Sequence, residues 1–221
     1  MKKMYVLSTV VMLLLTGLLI IVPMGETAQA ATLTVGSDQT YTTIQGAIDA
    51  ASPGDIIRIN DGVYNEHLTI SVPLTIIGNG TEETQIITDS SAPAISVQAS
   101  YVNISNMAVS TQGRASSQYG IEIVGGNNYT TLTNLYVFDN YYGVRSRGSS
   151  SSVHNDHTVI DNCVFEQNYY GVYLYYADHS EVTESTFTGN YYSIYAYYVD
   201  FGVFEHNSIF GQYYGHYAYY S

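Results

Sequence analysis

Asn168-Tyr169-Tyr170-Gly171-Val172-Tyr173-Leu174-Tyr175-Tyr176 returns 22 residues later as Asn190-Tyr191-Tyr192-Ser193-Ile194-Tyr195-Ala196-Tyr197-Tyr198. After another 22 it appears as Gln212-Tyr213-Tyr214-Gly215-His216-Tyr217-Ala218-Tyr219-Tyr220. An earlier copy, Asn140-Tyr141-Tyr142-Gly143-Val144, stands 28 residues upstream, and the Gly/Ser stretch 148–152 with its neighbours accounts for the six extra residues. A fixed period near 20 with β-branched runs and Asn/Gly punctuation marks a solenoid in which each repeat is one coil. Parallel coils stack ~4.8 Å apart, so residues one period apart become vertical neighbours. Alternation along each strand then puts Val172, Leu174, Ile194 and Ala196 inside and the tyrosines outside.

Upstream of the repeats the pattern changes once. After a short opening strand, Thr32–Val35, Thr42-x-x-Gln45 reads as a capping box. Ile44, Ala47, Ile48 and Ala51 follow at helical spacing, and Pro53-Gly54 ends the helix. Everything beyond is short strands between turns: Ile56-Ile57-Arg58-Ile59, Leu68-Thr69-Ile70, Leu74-Thr75-Ile76-Ile77, Ile86-Ile87, Ile95-Ser96-Val97, Val102-Asn103-Ile104 and Ile121-Glu122-Ile123-Val124. The expected layout is a targeting segment over 1–30, the opening strand and a capping helix over 31–53, and about seven coils over 54–221. The sequence stops within a repeat, and an uncapped coil end is expected to expose backbone that pairs with another chain, unless the protein continues.

The stretch Gly54-Asp55-Ile56-Ile57-Arg58-Ile59-Asn60-Asp61-Gly62-Val63-Tyr64-Asn65-Glu66, with Leu74-Thr75-Ile76-Ile77-Gly78, resembles the opening of the pectin-lyase-like right-handed parallel β-helices. The unit Ile160-Asp161-Asn162-Cys163-Val164-Phe165-Glu166-Gln167-Asn168-Tyr169-Tyr170-Gly171-Val172 is similar to the repeat of NosD-like surface and periplasmic proteins. The resemblance implies an all-β fold, a single-stranded right-handed parallel β-helix with a short N-terminal capping helix. It also implies three functional classes: a structural or adhesive surface protein, a polysaccharide-binding or polysaccharide-degrading protein, and a metal-binding periplasmic or extracellular protein.

Charge and targeting signals narrow these. Lys2 and Lys3 precede an apolar run from Val6 to Val22, and Ala28-Gln29-Ala30 is a small-x-small cleavage site, so a secreted or cell-surface protein is expected. An uncleaved anchor is the other reading of that run. Without the segment, four arginines (Arg58, Arg114, Arg145, Arg147) face 18 carboxylates, the total of 19 less Glu26. That surface repels phosphate backbones, which excludes nucleic acid as a partner. The single cysteine, Cys163, reads as a buried small apolar residue, with an intermolecular bridge as the alternative. Asn79, Asn103 and Asn128 begin N-x-S/T sequons.

Superposing the coils yields candidate sites. Tyr173, Tyr195 and Tyr217 form one outward column below Arg145. Tyr175, Tyr197 and Tyr219 form another below Arg147, and Tyr176, Tyr198 and Tyr220 a third. Nineteen of the 24 tyrosines lie from Tyr129 onward, which concentrates them on one surface. Such aromatic area suits self-association, an envelope partner or a glycan, and stacking between coils is the purely structural alternative. Asp156 and Asp178, with His157 and His179 beside them and His154 nearby, are the metal-ligand candidates. Oxygen donors there suit Ca2+ and the imidazoles suit Zn2+ or Cu2+, while solvated turn residues would look the same. Asn134, Asn162, Glu184 and His206 share another position, and an inward orientation would pair Glu184 with His206. Catalysis is disfavoured: the mature chain has no Lys, no cation follows Arg147, and the motifs of the polygalacturonases and pectin esterases are absent.

Overall fold

The structure is a computed structural model that describes residues 29–89, 92–116 and 118–219. The basic start and apolar run read as a targeting segment lie outside these residues, as does Tyr220.

Strands recur in the order the period demands. One sheet consists of Leu68–Ile70, Ile95–Val97, Tyr119–Ile123, Tyr142–Arg147, Tyr170–Tyr175, Tyr192–Tyr197 and Tyr214–Tyr219, all parallel, one strand from each of seven coils. The other sheet turns a corner and forms the remaining walls. Its long strands, Asn103–Ser110 and Thr131–Phe138, cross that corner unbroken, whereas later coils split into pairs such as Val159–Asp161 and Val164–Glu166. Every pairing between these strands is parallel. The architecture is therefore a right-handed parallel β-helix.

The corners are built by residues with left-handed backbone. Asn106, Asn134, Asn162, Glu184 and His206 recur in register with φ of 58°, 52°, 50°, 49° and 57°. Tyr101, Tyr129, His157, His179 and Phe201 form a second such row, with φ of 61°, 60°, 58°, 54° and 58°. Bulky residues rarely adopt this region, at a cost of roughly 1–2 kcal/mol each. In the second row the cost is offset by ring stacking along the whole row, with centroids 4.8, 4.7, 4.9 and 5.0 Å apart.

The interior is a set of vertical columns. Aliphatic residues fill most of it, and Phe165 stacks on Phe187 at 4.9 Å. One column is polar. Asn140, Asn168 and Asn190 are at most 1% exposed. The Asn168 amide donates to the Val137 carbonyl and to Asn190 Oδ1, while its own oxygen accepts from Asn140. Buried amides are thus fully engaged, as burial requires. Cys163 is also interior, and burial pushes its thiol up to about 12, which accords with the apolar reading.

The helix Ile44–Ala50 buries Ile44, Ala47 and Ile48 over the first coil. Its capping differs from the box expected at Thr42 and Gln45. Thr43 is the N-cap and accepts from Gly46, and the Glu66 carboxylate of the first coil takes both the Ile44 and Gln45 amides at 3.0 Å. Gln45 is thereby free to bind the Thr69 backbone instead. A carboxylate from another element satisfies the helix start, a contact no local motif encodes.

The residues expected to pair inside the coil at Glu184 and His206 sit outside it, two-thirds exposed and 3.4 Å apart. The left-handed corner turns these side chains to solvent. Asn134 and Asn162 of the same row form a surface amide ladder with Asn106.

Candidate functional site

The tyrosine sheet turns its tyrosines outward in register. Tyr173 pairs with Tyr195 and Tyr195 with Tyr217, their rings stacked nearly parallel at 5.2 and 4.9 Å. Tyr175, Tyr197 and Tyr219 repeat this at 5.5 and 5.2 Å. Tyr176 and Tyr198 lie 4.8 Å apart beside them. Arg145 and Arg147 head the first two columns as expected, since they pair with Tyr173 and Tyr175. Arg145 binds Glu122 at 2.6 Å and lies 4.8 Å from the Tyr119 ring centroid, and Arg147 lies 5.6 Å from that of Tyr175.

Two further columns join the surface. Tyr142, Tyr170, Tyr192 and Tyr214 stack at 5.0, 4.9 and 4.8 Å, and Tyr141, Tyr169, Tyr191 and Tyr213 at 4.7, 4.7 and 4.9 Å. The two meet edge to face within each coil. Their signal was the Tyr-Tyr pair inside the repeat itself, which marks the period and also supplies side chains. Because each ring face is covered by the next ring, the surface presents ring rims and hydroxyls. From Tyr170 onward the outward positions of this sheet carry no charge, the two arginine heads and Glu122 lying on earlier strands, whereas the other sheet carries Asp161, Glu166, Glu181 and Glu205.

The His/Asp column resolves into two groups. Asp156 and Asp178 converge with His154: Nδ1 of His154 is 2.8 Å from Asp178 Oδ2 and 3.8 Å from Asp156 Oδ1. The donor atoms of the three lie within 4.8 Å of one another, close enough that the group could hold one metal ion. His157 and His179 are instead held in the aromatic row between Tyr129 and Phe201. Burial acts to lower the His154 pKa, but its hydrogen bond and proximity to Asp178 prevail and hold it above the usual imidazole range.

An open groove of about 490 Å³ lies on the corner wall, bordered by Glu82, Gln85, Asn134, Tyr136 and Asn162. Tyr136 stacks on Phe138 at 4.7 Å and donates to Glu166. Of the sequon residues, Asn79 binds Asp61, Asn103 binds Thr75, and Asn128 accepts the Asp156 amide. Among the described residues no helix is long and apolar enough to cross a membrane.

Residues 42–221 match the family model described as periplasmic copper-binding protein (NosD). No curated protein matches the sequence. Among solved structures, the chain is similar to an alginate lyase from Paenibacillus sp. str. FPU-7, with 15% identity, a TM-score of 0.57, and coverage of 82% of this chain and 76% of that one. It is similar to the Aspergillus niger pectin methylesterase at 16% identity and TM-score 0.52, covering 87% and 86%. A protein of Geobacillus virus E2 aligns at 16% identity and TM-score 0.57 over 76% of this chain, which spans only 37% of the viral one. At these identities the likenesses speak to the fold alone.

One imidazole and two carboxylates form a nitrogen–oxygen donor set that fits a divalent copper ion. The orphaned Asp156 Oδ1, buried and without a hydrogen-bond partner, supports that fit. Among the described residues the soft donors that favour monovalent copper, Cys163 and Met107, are in the core.

Proposed function

The chain belongs to the NosD family, and from that premise we propose that it is a non-catalytic extracytoplasmic scaffold that associates with further copies of itself through its tyrosine sheet. The observation that carries the reading is the uncharged, rim-presenting face of Tyr173, Tyr175, Tyr195, Tyr197, Tyr217 and Tyr219 on a chain of net charge −13. Like-charged copies approach most easily where the charge is absent. Tyrosine suits such contact, because an apolar ring and a hydroxyl act together. A second copy also repeats at the same interval, so rows of hydroxyls can meet in register over several coils. The non-catalytic part is supported by the sequence, which has no Lys or Arg after Arg147 and lacks the polygalacturonase and pectin esterase motifs.

Sedimentation of the secreted protein over a range of concentration tests the reading. Self-association is expected, weakened about tenfold or more when Tyr195→Ser and Tyr197→Ser are combined. The double variant should still fold, since each aromatic pair contributes only about 0.2–1 kcal/mol. A strict monomer at high concentration would overturn the proposal.

The groove beside Tyr136 favours a second reading, glycan binding, because amides and an aromatic rim are the donors and surface a sugar needs. Binding to a glycan panel that disappears in Tyr136→Ala and persists in the Tyr195/Tyr197 variant would establish it. Covered ring faces make the tyrosine columns themselves poor sugar platforms.

A further inference from the structure

The first strand is anchored on a buried carboxylate. Asp55, at the head of the first coil, is only 7% exposed, yet among the described residues no side-chain cation forms an ion pair with it. Its Oδ2 accepts the Ser52 N–H at 2.8 Å and its Oδ1 the Ala31 N–H at 2.7 Å. Those backbone bonds, Ser52 first, hold its carboxyl below the usual carboxylate range. Of the charged groups on the elements packed nearby, Arg58 stands opposite Thr34 and Asp49 of the helix binds Gln45. Buried carboxylates ordinarily have a charged partner, so Asp55 with two neutral donors is an exception.

Ala31 is also where the first strand joins the coil. Its carbonyl takes the Ile56 N–H at 2.8 Å, and Thr32–Val35 then pairs with Ile56–Ile59. Gln29 and Ala30 precede it and are exposed. The small-x-small motif Ala28-Gln29-Ala30 ends at the same bond. A motif in 28–30 and a hydrogen bond reaching across 24 residues thus converge on one peptide nitrogen.

We propose that a peptidase of the export machinery cuts between Ala30 and Ala31, and that Asp55 binds the α-ammonium this cut creates. Water is the co-reactant. The C–N bond breaks, the water oxygen joins the Ala30 carbonyl as a carboxylate, and both water protons end on the Ala31 nitrogen. The N–H already in place becomes one of three ammonium donors, and 2.7 Å is the length of a charge-assisted bond. Ala31 is exposed, so the other two donors keep water and little hydration is lost. Processing therefore turns a neutral hydrogen bond at a buried carboxylate into an ion pair, and the first strand is locked to the first coil once the leader is gone. The inference rests on the extracytoplasmic part of the proposed function and is independent of the tyrosine contact.

Residues 31–221 contain no lysine, so the α-amine is the single primary amine of the released chain. Intact mass of the chain secreted from its full-length precursor should match a start at Ala31. Acylation with an amine-reactive ester, tyrosine esters being reversed with hydroxylamine, then reports on that amine alone. Its half-maximal pH should lie about one unit higher in the folded chain than in urea, because the ion pair favours the protonated amine. Steric cover alone would slow the reaction without moving that pH. The Nα-acetylated chain keeps the N–H and loses the charge, so its unfolding constant should be about fivefold larger. In Asp55→Asn that difference should vanish. A start other than Ala31, or a half-maximal pH equal in the folded and unfolded chains, would overturn the proposal. A chain that reaches the cell exterior with its leader attached would overturn it too, and would leave the extracytoplasmic reading and the sedimentation test standing.

Discussion

Asn168 illustrates what a single interior residue contributes in a stacked fold. Its amide holds the Val137 carbonyl in the coil above and the Asn190 oxygen in the coil below, and its oxygen takes the Asn140 amide. Asn168→Ala therefore strands groups on both sides, each costing about 1–3 kcal/mol when buried without a partner. The expected loss is about 2–5 kcal/mol, read as a lower urea midpoint, whereas Asn162→Ala, on the exposed ladder, should cost only about 1 kcal/mol, for the left-handed corner that Asn tolerates better than Ala. The sequence displayed Asn140, Asn168 and Asn190 as punctuation of the repeat. It could not tell an inward amide from a turn amide, because asparagine serves both left-handed corners and buried ladders. The same ambiguity left His154 undistinguished from His157. The two lie three positions apart, yet one is turned onto carboxylates and the other into an aromatic row, a choice made by the path of an inserted loop.

At the scale of the strand, two coupled layers govern packing. A Cβ on Gly171 would meet the Phe187 ring of the next coil at 2.9 Å and the Ser193 carbonyl at 2.7 Å; on Gly143 it would meet Phe165 at 3.2 Å. The next position in the series is Ser193, and there the residue in register with Phe165 and Phe187 is the smaller Ile209. Small-over-large alternation thus keeps each layer filled. Gly171→Ala should cost about 1–3 kcal/mol through overpacking, and Phe187→Leu should relieve part of that, so that a double-mutant cycle shows favourable coupling. The tyrosine strands make a pH prediction. Burial first, then neighbouring phenols, lift Tyr142 to about 12, and burial with the Glu166 hydrogen bond does the same for Tyr136. Unfolded, both titrate near 10. The fold thus favours the protonated phenol, a stabilisation fully present below pH 10 and lost as pH rises through about 12. Phenolate absorbance should lag behind that of the denatured chain over this interval, and unfolding should follow. The outward tyrosine columns were legible from period and alternation alone, since both are local. The helix cap was not, because its acceptor, Glu66, arrives from a coil 21 residues away.

The whole molecule sets a neutral aromatic wall against an acidic body, and this arrangement fixes the sign of its salt dependence. Two copies meeting through the tyrosine sheets bring together bodies of formal charge −13 each while forming few ion pairs at the contact. Repulsion then acts at distances comparable with the screening length, about 10 Å at 0.1 M salt and about 3 Å at 1 M. Rims and hydroxyls at the contact are little affected by that screening. Self-association is therefore expected to tighten as salt rises, by about tenfold between low salt and 1 M, measured as the dissociation constant from sedimentation equilibrium. A contact built on ion pairs, such as arginines of one copy on the acidic wall of another, would respond in the opposite direction. Weakening with salt would thus move the interface away from the tyrosine sheet, and loss of the response in Tyr195→Ser/Tyr197→Ser would tie it there.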